Sequence, residues 1–204
     1  MIVENAVGNR NGALVDANNH VAVFAISESE AQDAVFKGNA YNINTGIIGL
    51  TSSTESACLY IQNNESPSNG ESTLFIESFI IGIDDQGTTA GMSQITVVKN
   101  PTGGTIGTGA TDVDIAVNRD FGTSTSLDAD TKIYKGAEGN TLTGGTDYAV
   151  IYQQTGTRGN YPINTALRKG NSLGIKIDTQ TSSGTTNLYI VLQCYRVDGK
   201  NGNA

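Results

Sequence analysis

Short runs of β-forming residues, separated by turn residues at intervals of about ten, fill this chain, and almost no stretch carries helical periodicity. The spacing leaves each run too short for a long helix and suited to a strand of a sandwich or barrel. Strands are expected at 20–26, 41–50, 56–62, 73–83, 93–99, 113–117, 131–134, 148–154, 172–178 and 187–196. In the last of these Leu188, Ile190, Leu192 and Cys194 alternate with Tyr189, Val191, Gln193 and Tyr195, so the first set is assigned to the core. Asn69-Gly70, Gly144-Gly145 and Ser183-Gly184 supply the positive φ that tight hairpins or short loops require.

One segment reads as helix. Residues 29–37 have Ser27 or Ser29 as cap, Glu28, Glu30 and Gln32 around the first turn and Gly38 to end it. The run 74–83, Leu-Phe-Ile-Glu-Ser-Phe-Ile-Ile-Gly-Ile, is dense in apolar residues, as in a central strand covered on both faces or buried at a subunit contact. Glu77 is its awkward residue, while Phe75, Phe79, Ile80 and Ile81 offer more apolar surface than one sheet face needs. The expected fold is therefore all-β, a jelly-roll-like antiparallel sandwich of about 8–10 strands with at most one short helix.

At 204 residues and 37% hydrophobic composition the chain can build one large core. A domain of that size buries roughly 70% of the surface of its unfolded form, without help from disulfides or metals. Cys58 and Cys194, each within an apolar run, read as two buried thiols. Residues 20–198 are expected as the sandwich, 1–19 as an extended N-terminal arm and 199–204 as a loose tail. No secretory signal or membrane helix is visible in the sequence, which points to synthesis in a cytoplasm and no membrane partner. A net charge of −8 argues against direct contact with nucleic acid.

Catalytic chemistry finds little support. The one histidine, His20, sits inside an expected strand, and there is no Gly-x-Ser-x-Gly elbow, His-Glu-x-x-His helix or Cys-x-x-Cys pair. Glycosidases need only two carboxylates, but the chain has no Trp and 6% aromatics, which disfavours both sugar hydrolysis and a lectin-like module. The pairs Asp84-Asp85, Asp112-x-Asp114 and Asp128-x-Asp130 suit calcium chemically, yet none has EF-hand spacing, and Asp pairs in turns more often solvate the backbone. The glycine string Gly103-Gly104-Thr-Ile-Gly107-Thr-Gly109 lacks the Lys and helix of a phosphate loop and reads as a flexible loop. Asn64-Glu65-Ser66 matches a glycosylation acceptor only formally. The expectation is a non-enzyme with no catalytic, cofactor or metal residues, and with loops 84–91 and 100–111 at one end of the sandwich.

Several phrases add to this reading: Phe36-Lys-Gly-Asn-Ala-Tyr41, residues 48–63 (Ile-Gly-Leu-Thr-Ser-Ser-Thr-Glu-Ser-Ala-Cys-Leu-Tyr-Ile-Gln-Asn), Asn100-Pro-Thr-Gly-Gly-Thr105, Asn118-Arg-Asp-Phe-Gly122 and Leu167-Arg-Lys-Gly-Asn-Ser-Leu173. Over residues 35–196 the wording resembles capsid decoration, or head cement, proteins of tailed bacteriophages. That resemblance implies a jelly-roll domain on the outer face of the virion capsid, often a homotrimer, clamping neighbouring major capsid protein subunits. It fixes no site residue. A head-fibre or tail-associated receptor binder, recognising glycans through the loops 84–91 and 100–111, is the alternative.

Overall fold

The computed structural model describes residues 14–15, 21–22, 29–51, 54–64, 72–84, 91–107, 116–124, 127, 131–180 and 184–197. The chain divides into two units, residues 1–30 and 31–204. In the first, strand β1 (Leu14–Val15) pairs antiparallel with β2 (Val21–Ala22), Leu14 opposite Ala22. The rest of the expected strand 20–26, most of the expected arm and the tail after Val197 lie outside the described residues.

Helix α1 (Glu30–Phe36) ends as its sequence dictates. Gly38 takes φ +70°, its N–H bonds Val35 O at 2.9 Å, and Asn39 N–H reaches back to Ala34 O at 2.7 Å. This paired closure needs a left-handed residue at the helix exit, which glycine adopts without strain.

Eleven strands follow in the second unit: β3 (Ala40–Asn44), β4 (Ile48–Leu50), β5 (Ser56–Asn63), β6 (Thr73–Ile83), β7 (Met92–Lys99), β8 (Ala116–Asn118), β9 (Thr131–Lys135), β10 (Thr146–Gln154), β11 (Thr157–Leu167), β12 (Ser172–Asp178) and β13 (Thr186–Val197). Their antiparallel pairings nest: β7 with β10, β6 with β11, β5 with β12 and β3 with β13. The first half of the unit thus runs as a ribbon against the second. Successive ribbon segments fall alternately into two sheets, which β6–β13 and β7–β12 pairing then completes. The sheet orders are β10-β7-β12-β5-β9 and β11-β6-β13-β3-β8, with β4 also on β13. This is the strand order of a jelly roll. Residues 100–145, inserted at the ribbon's tip, return to add β8 beside β3 and β9 beside β5.

The core lies between the sheets. Leu59, Ile61, Ile95, Val97, Ile133, Ile175 and Ile177 from one sheet meet Tyr41, Ile43, Ile76, Phe79, Ile81, Ile190 and Leu192 from the other. The expected inward set of β13, Leu188 to Cys194 by twos, is buried as assigned. Both cysteines are buried free thiols.

The dense strand β6 has an explanation that simple alternation misses. Its register against β13 shifts between Gln193, opposite Ser78, and Cys194, opposite Ile76, leaving Glu77 as the extra residue of a β-bulge. The bulge changes the phase of alternation. Leu74 and Ile76 face the core before it, and Phe79, Ile81 and Ile83 face the core after it. Of Phe75, Phe79, Ile80 and Ile81, the four residues read as more than one sheet face needs, Phe79 and Ile81 are taken up by the chain's own core, whereas Phe75 stacks on Tyr195 with ring centroids 5.3 Å apart. Glu77 turns aside to pair with Arg119.

Two further expectations are corrected. The single strand 41–50 breaks at Thr45, where the chain leaves and re-enters the ladder of β13: Thr45 Oγ1 accepts from Ile190 N at 3.0 Å, in place of a backbone carbonyl, and Gly46 takes φ +62°. Strand β11 was not expected at all. It contains Gly159, Pro162 and Asn164, and it is an edge strand, where a missing N–H costs no ladder bond.

Candidate functional site

The segment 100–107 does not project from an end of the sandwich; it lies on the outer face of the five-stranded sheet. Ile106 packs with Ala57 and Tyr60, with Tyr134 and Leu142 beside them, as a second small core. Glycines permit this close cover. A Cβ on Gly174 would come within 2.3 Å of Leu142 and 3.1 Å of Pro101, and Gly103 and Gly107 stack so closely that a Cβ on either would meet the other's Cα at 2.9–3.0 Å. Thr102 N donates to Thr143 O at 2.7 Å and Thr143 N returns the bond at 3.1 Å. Gly144 and Gly145, both at positive φ as expected, turn the chain from this cover into β10. Gly184, at φ +85°, sits between β12 and β13, which belong to different sheets, so it serves a crossing between sheets.

The singled-out acidic pairs contribute one described residue, Asp84; Asp85, Asp112, Asp114, Asp128 and Asp130 lie outside the described residues, as does His20. Among the described residues no group of three His, Cys, Asp or Glu side chains could hold a metal ion. Burial pushes the thiols of Cys58 and Cys194 up to about 12, so neither is a nucleophile at neutral pH.

Among the described residues, cavities open on the sandwich. One of about 370 Å³ is lined by Asp84, Arg158, Asn187, Tyr189 and Ile47 among others. Its floor is built by the pairing of Gly82 with Tyr189 across β6 and β13. A Cβ at Gly82 would come within 2.2 Å of the Tyr189 ring, so the glycine lets that ring lie flat over the sheet. A smaller cavity of about 90 Å³ is framed by Tyr148, Lys99 and Asn171 with Leu167 and Leu173.

The third surface is the side of the sandwich formed by the two edge strands β10 and β11. Ala149 and Ile151 of β10 pack inward on the core. Tyr148, Val150 and Tyr152 alternate with them and are 55%, 47% and 56% exposed. The sequence holds this signal in the period-2 pattern Tyr-x-Val-x-Tyr, but reading it requires knowing that among the described residues no strand lies beyond β10. No family model matches the chain, and no curated protein matches it.

Proposed function

We propose that this protein is a non-enzymatic structural component of a tailed-phage virion, which decorates the outer surface of the capsid and stabilises it by binding major capsid protein subunits. The observation that carries the reading is the nested pairing of β3, β5, β6 and β7 with β13, β12, β11 and β10. That is the jelly-roll fold implied by the resemblance over residues 35–196, reached here from hydrogen-bonded pairing instead of wording. Physically, a cement protein acts by mass action: surface buried across several capsid subunits favours the assembled shell over its parts.

A second reading, a head-fibre or receptor-binding domain, draws on the 370 Å³ cavity, where the Tyr189 ring and the polar groups of Arg158, Asp84 and Asn187 converge. An aromatic platform with polar groups around it is the chemistry that grips a sugar ring. Cosedimentation of the purified chain with decoration-free capsids, run beside binding to host cells, separates the two. Attachment to capsids without attachment to cells supports the cement reading, and the reverse supports the second.

A further inference from the structure

We infer that copies of this chain associate head to tail, the Phe121 ring of one entering the 370 Å³ cavity of the next while its Asp120 carboxylate meets that copy's Arg158. The inference is independent of any role on a capsid, and it gives the cavity an occupant other than the sugar of the second reading. It starts from a side chain that folding leaves outside: Phe121 is 98% exposed. The turn that carries it is nevertheless fixed. Asn118 Nδ2 donates to Gly38 O at 2.7 Å, Arg119 N to Ala40 O at 2.8 Å, Asp120 N to Asn118 Oδ1 at 2.8 Å and Gly122 N to Asp120 Oδ1 at 2.9 Å. A ring presented on so ordered a turn loses little freedom on docking. Phe36 and Val117, in the helix and strand next to the turn, are exposed as well, so Phe121 is not a single scattered apolar residue of the surface.

The cavity supplies the matching surface. Ile47, 71% exposed, lines it together with Ile83, Leu188 and the Tyr189 ring. A void of roughly 150 Å³ already holds benzene, so about 370 Å³ admits a phenyl ring with room to spare. Tyr189, lying over Gly82, gives the entering ring an aromatic neighbour. Among the described residues the Arg158 guanidinium has no hydrogen-bond or ion-pair partner, and Asp84, which also lines the cavity, forms no ion pair with it. Asp120 brings the missing anion, since Gly122 N occupies its Oδ1 and leaves Oδ2 for the guanidinium.

No copy can fill its own cavity. Ala40, to whose carbonyl the turn is bonded, lies opposite Tyr195 of β13, whereas the cavity is built at Tyr189, six residues earlier on that strand. At about 3.3 Å per residue the two places are about 20 Å apart. Strand β8 runs antiparallel to β3, with Ala116 opposite Ile43 and Asn118 opposite Tyr41, so the chain past Asn118 leads away from the cavity. Ring and cavity thus stand at opposite ends of one sheet. A contact between two different patches repeats from copy to copy, closing into a ring or continuing as a filament according to the rotation between them. The net charge of −8 does not forbid it, because the contact sets a carboxylate on an unpaired guanidinium.

The test is sedimentation equilibrium of the full chain from micromolar to millimolar concentration, where the mass should climb from 21.3 kDa toward multiples of that value. Phe121→Ser removes the ring and leaves the cavity, and should weaken association roughly thirtyfold, as truncation of a central aromatic anchor does. Arg158→Glu spoils the cavity and leaves the ring, and should weaken it about tenfold or more. Mixed together, the two variants should form a one-to-one dimer of wild-type affinity that grows no further, because the intact ring of one meets the intact cavity of the other. A contact elsewhere on the surface gives no such rescue, and neither does a variant that fails to fold. Asp120→Asn keeps the Oδ1 that Gly122 bonds, and should weaken association a few-fold while flattening its salt dependence. A wild-type chain that stays at 21.3 kDa throughout, with or without a sugar in its cavity, or mixed variants that associate no more tightly than each alone, would overturn the inference.

Discussion

The Tyr161 hydroxyl donates to Gln153 Oε1 at 2.8 Å, and Gln153 Nε2 donates in turn to Thr157 O at 2.8 Å and Ile81 O at 3.2 Å. Gln153 belongs to the five-stranded sheet and its three partners to the six-stranded one. A single buried amide, with both ends satisfied, thus ties the two layers together at the side where their edge strands meet. Replacing it by a leucine of similar size strands two carbonyls and a phenol. Gln153→Leu should cost about 2–3 kcal/mol, and Tyr161→Phe about 1 kcal/mol. Urea unfolding followed by circular dichroism reads both.

The bulge at Glu77 makes a sharper prediction, because it sets the phase of a whole strand. Deleting Glu77 moves one half of β6 by one residue and exchanges Leu74 and Ile76 for their outward neighbours. The deletion should abolish cooperative folding. Glu77→Gln keeps the bulge and loses only the part-buried ion pair with Arg119, for a cost of about 0.5–1 kcal/mol that shrinks with added salt. Thermal melts of the two variants at low and high ionic strength check the contrast.

Glycines separate into those that are crowded and those that only turn. A Cβ on Gly136 would lie 1.8 Å from Ala57 O, where β9 leaves its partner β5, whereas one on Gly139 meets nothing within 4 Å and faces only a φ of +76°. Gly136→Ala should destabilise by about 3 kcal/mol through forced backbone movement, and Gly139→Ala by about 1 kcal/mol. Unfolding midpoints of the two variants, measured side by side, test the ranking.

The thiols give a pH dependence. Burial raises Cys58 and Cys194 to about 12 from an ordinary value of 9.0, so in the window between these values the unfolded chain is ionised while the native chain keeps its protons. Their contribution is complete below pH 9 and is lost as pH rises towards 12, at about 1.4 kcal/mol per pH unit for each thiol. The double variant Cys58→Ala/Cys194→Ala should show a shallower alkaline decline than the wild type. At pH 8 a thiol reagent should label the native protein slowly and the urea-unfolded protein at once.

Much of the fold was legible in the sequence wherever one face of a strand is buried and the other is not. The alternation in β13 and the left-handed closure of α1 at Gly38 follow from local chemistry and stand as read. The misreadings have non-local causes. Pro162 and Gly159 argue against a strand until it is known that β11 is an edge and that a Cβ at Gly159 would sit within 2.6 Å of the Tyr161 ring. Thr45 reads as a strand residue, but its hydroxyl substitutes for a backbone acceptor of Ile190, a partner 145 positions away. The glycine string at 103–107 reads as a loose loop because the Tyr60 and Ile106 packing that holds it down comes from distant segments. The exposed row on β10 was visible as a pattern, yet its meaning depends on sheet order, which no local signal carries.

The most direct measurement of the central claim is imaging of decoration-free capsids titrated with the purified protein. Jelly-roll-sized density is expected on the outer shell, saturating at a fixed number of copies per major capsid subunit and accompanied by a raised melting temperature of the shell. Bare capsids at saturating protein, with the shell's melting unchanged, would contradict it.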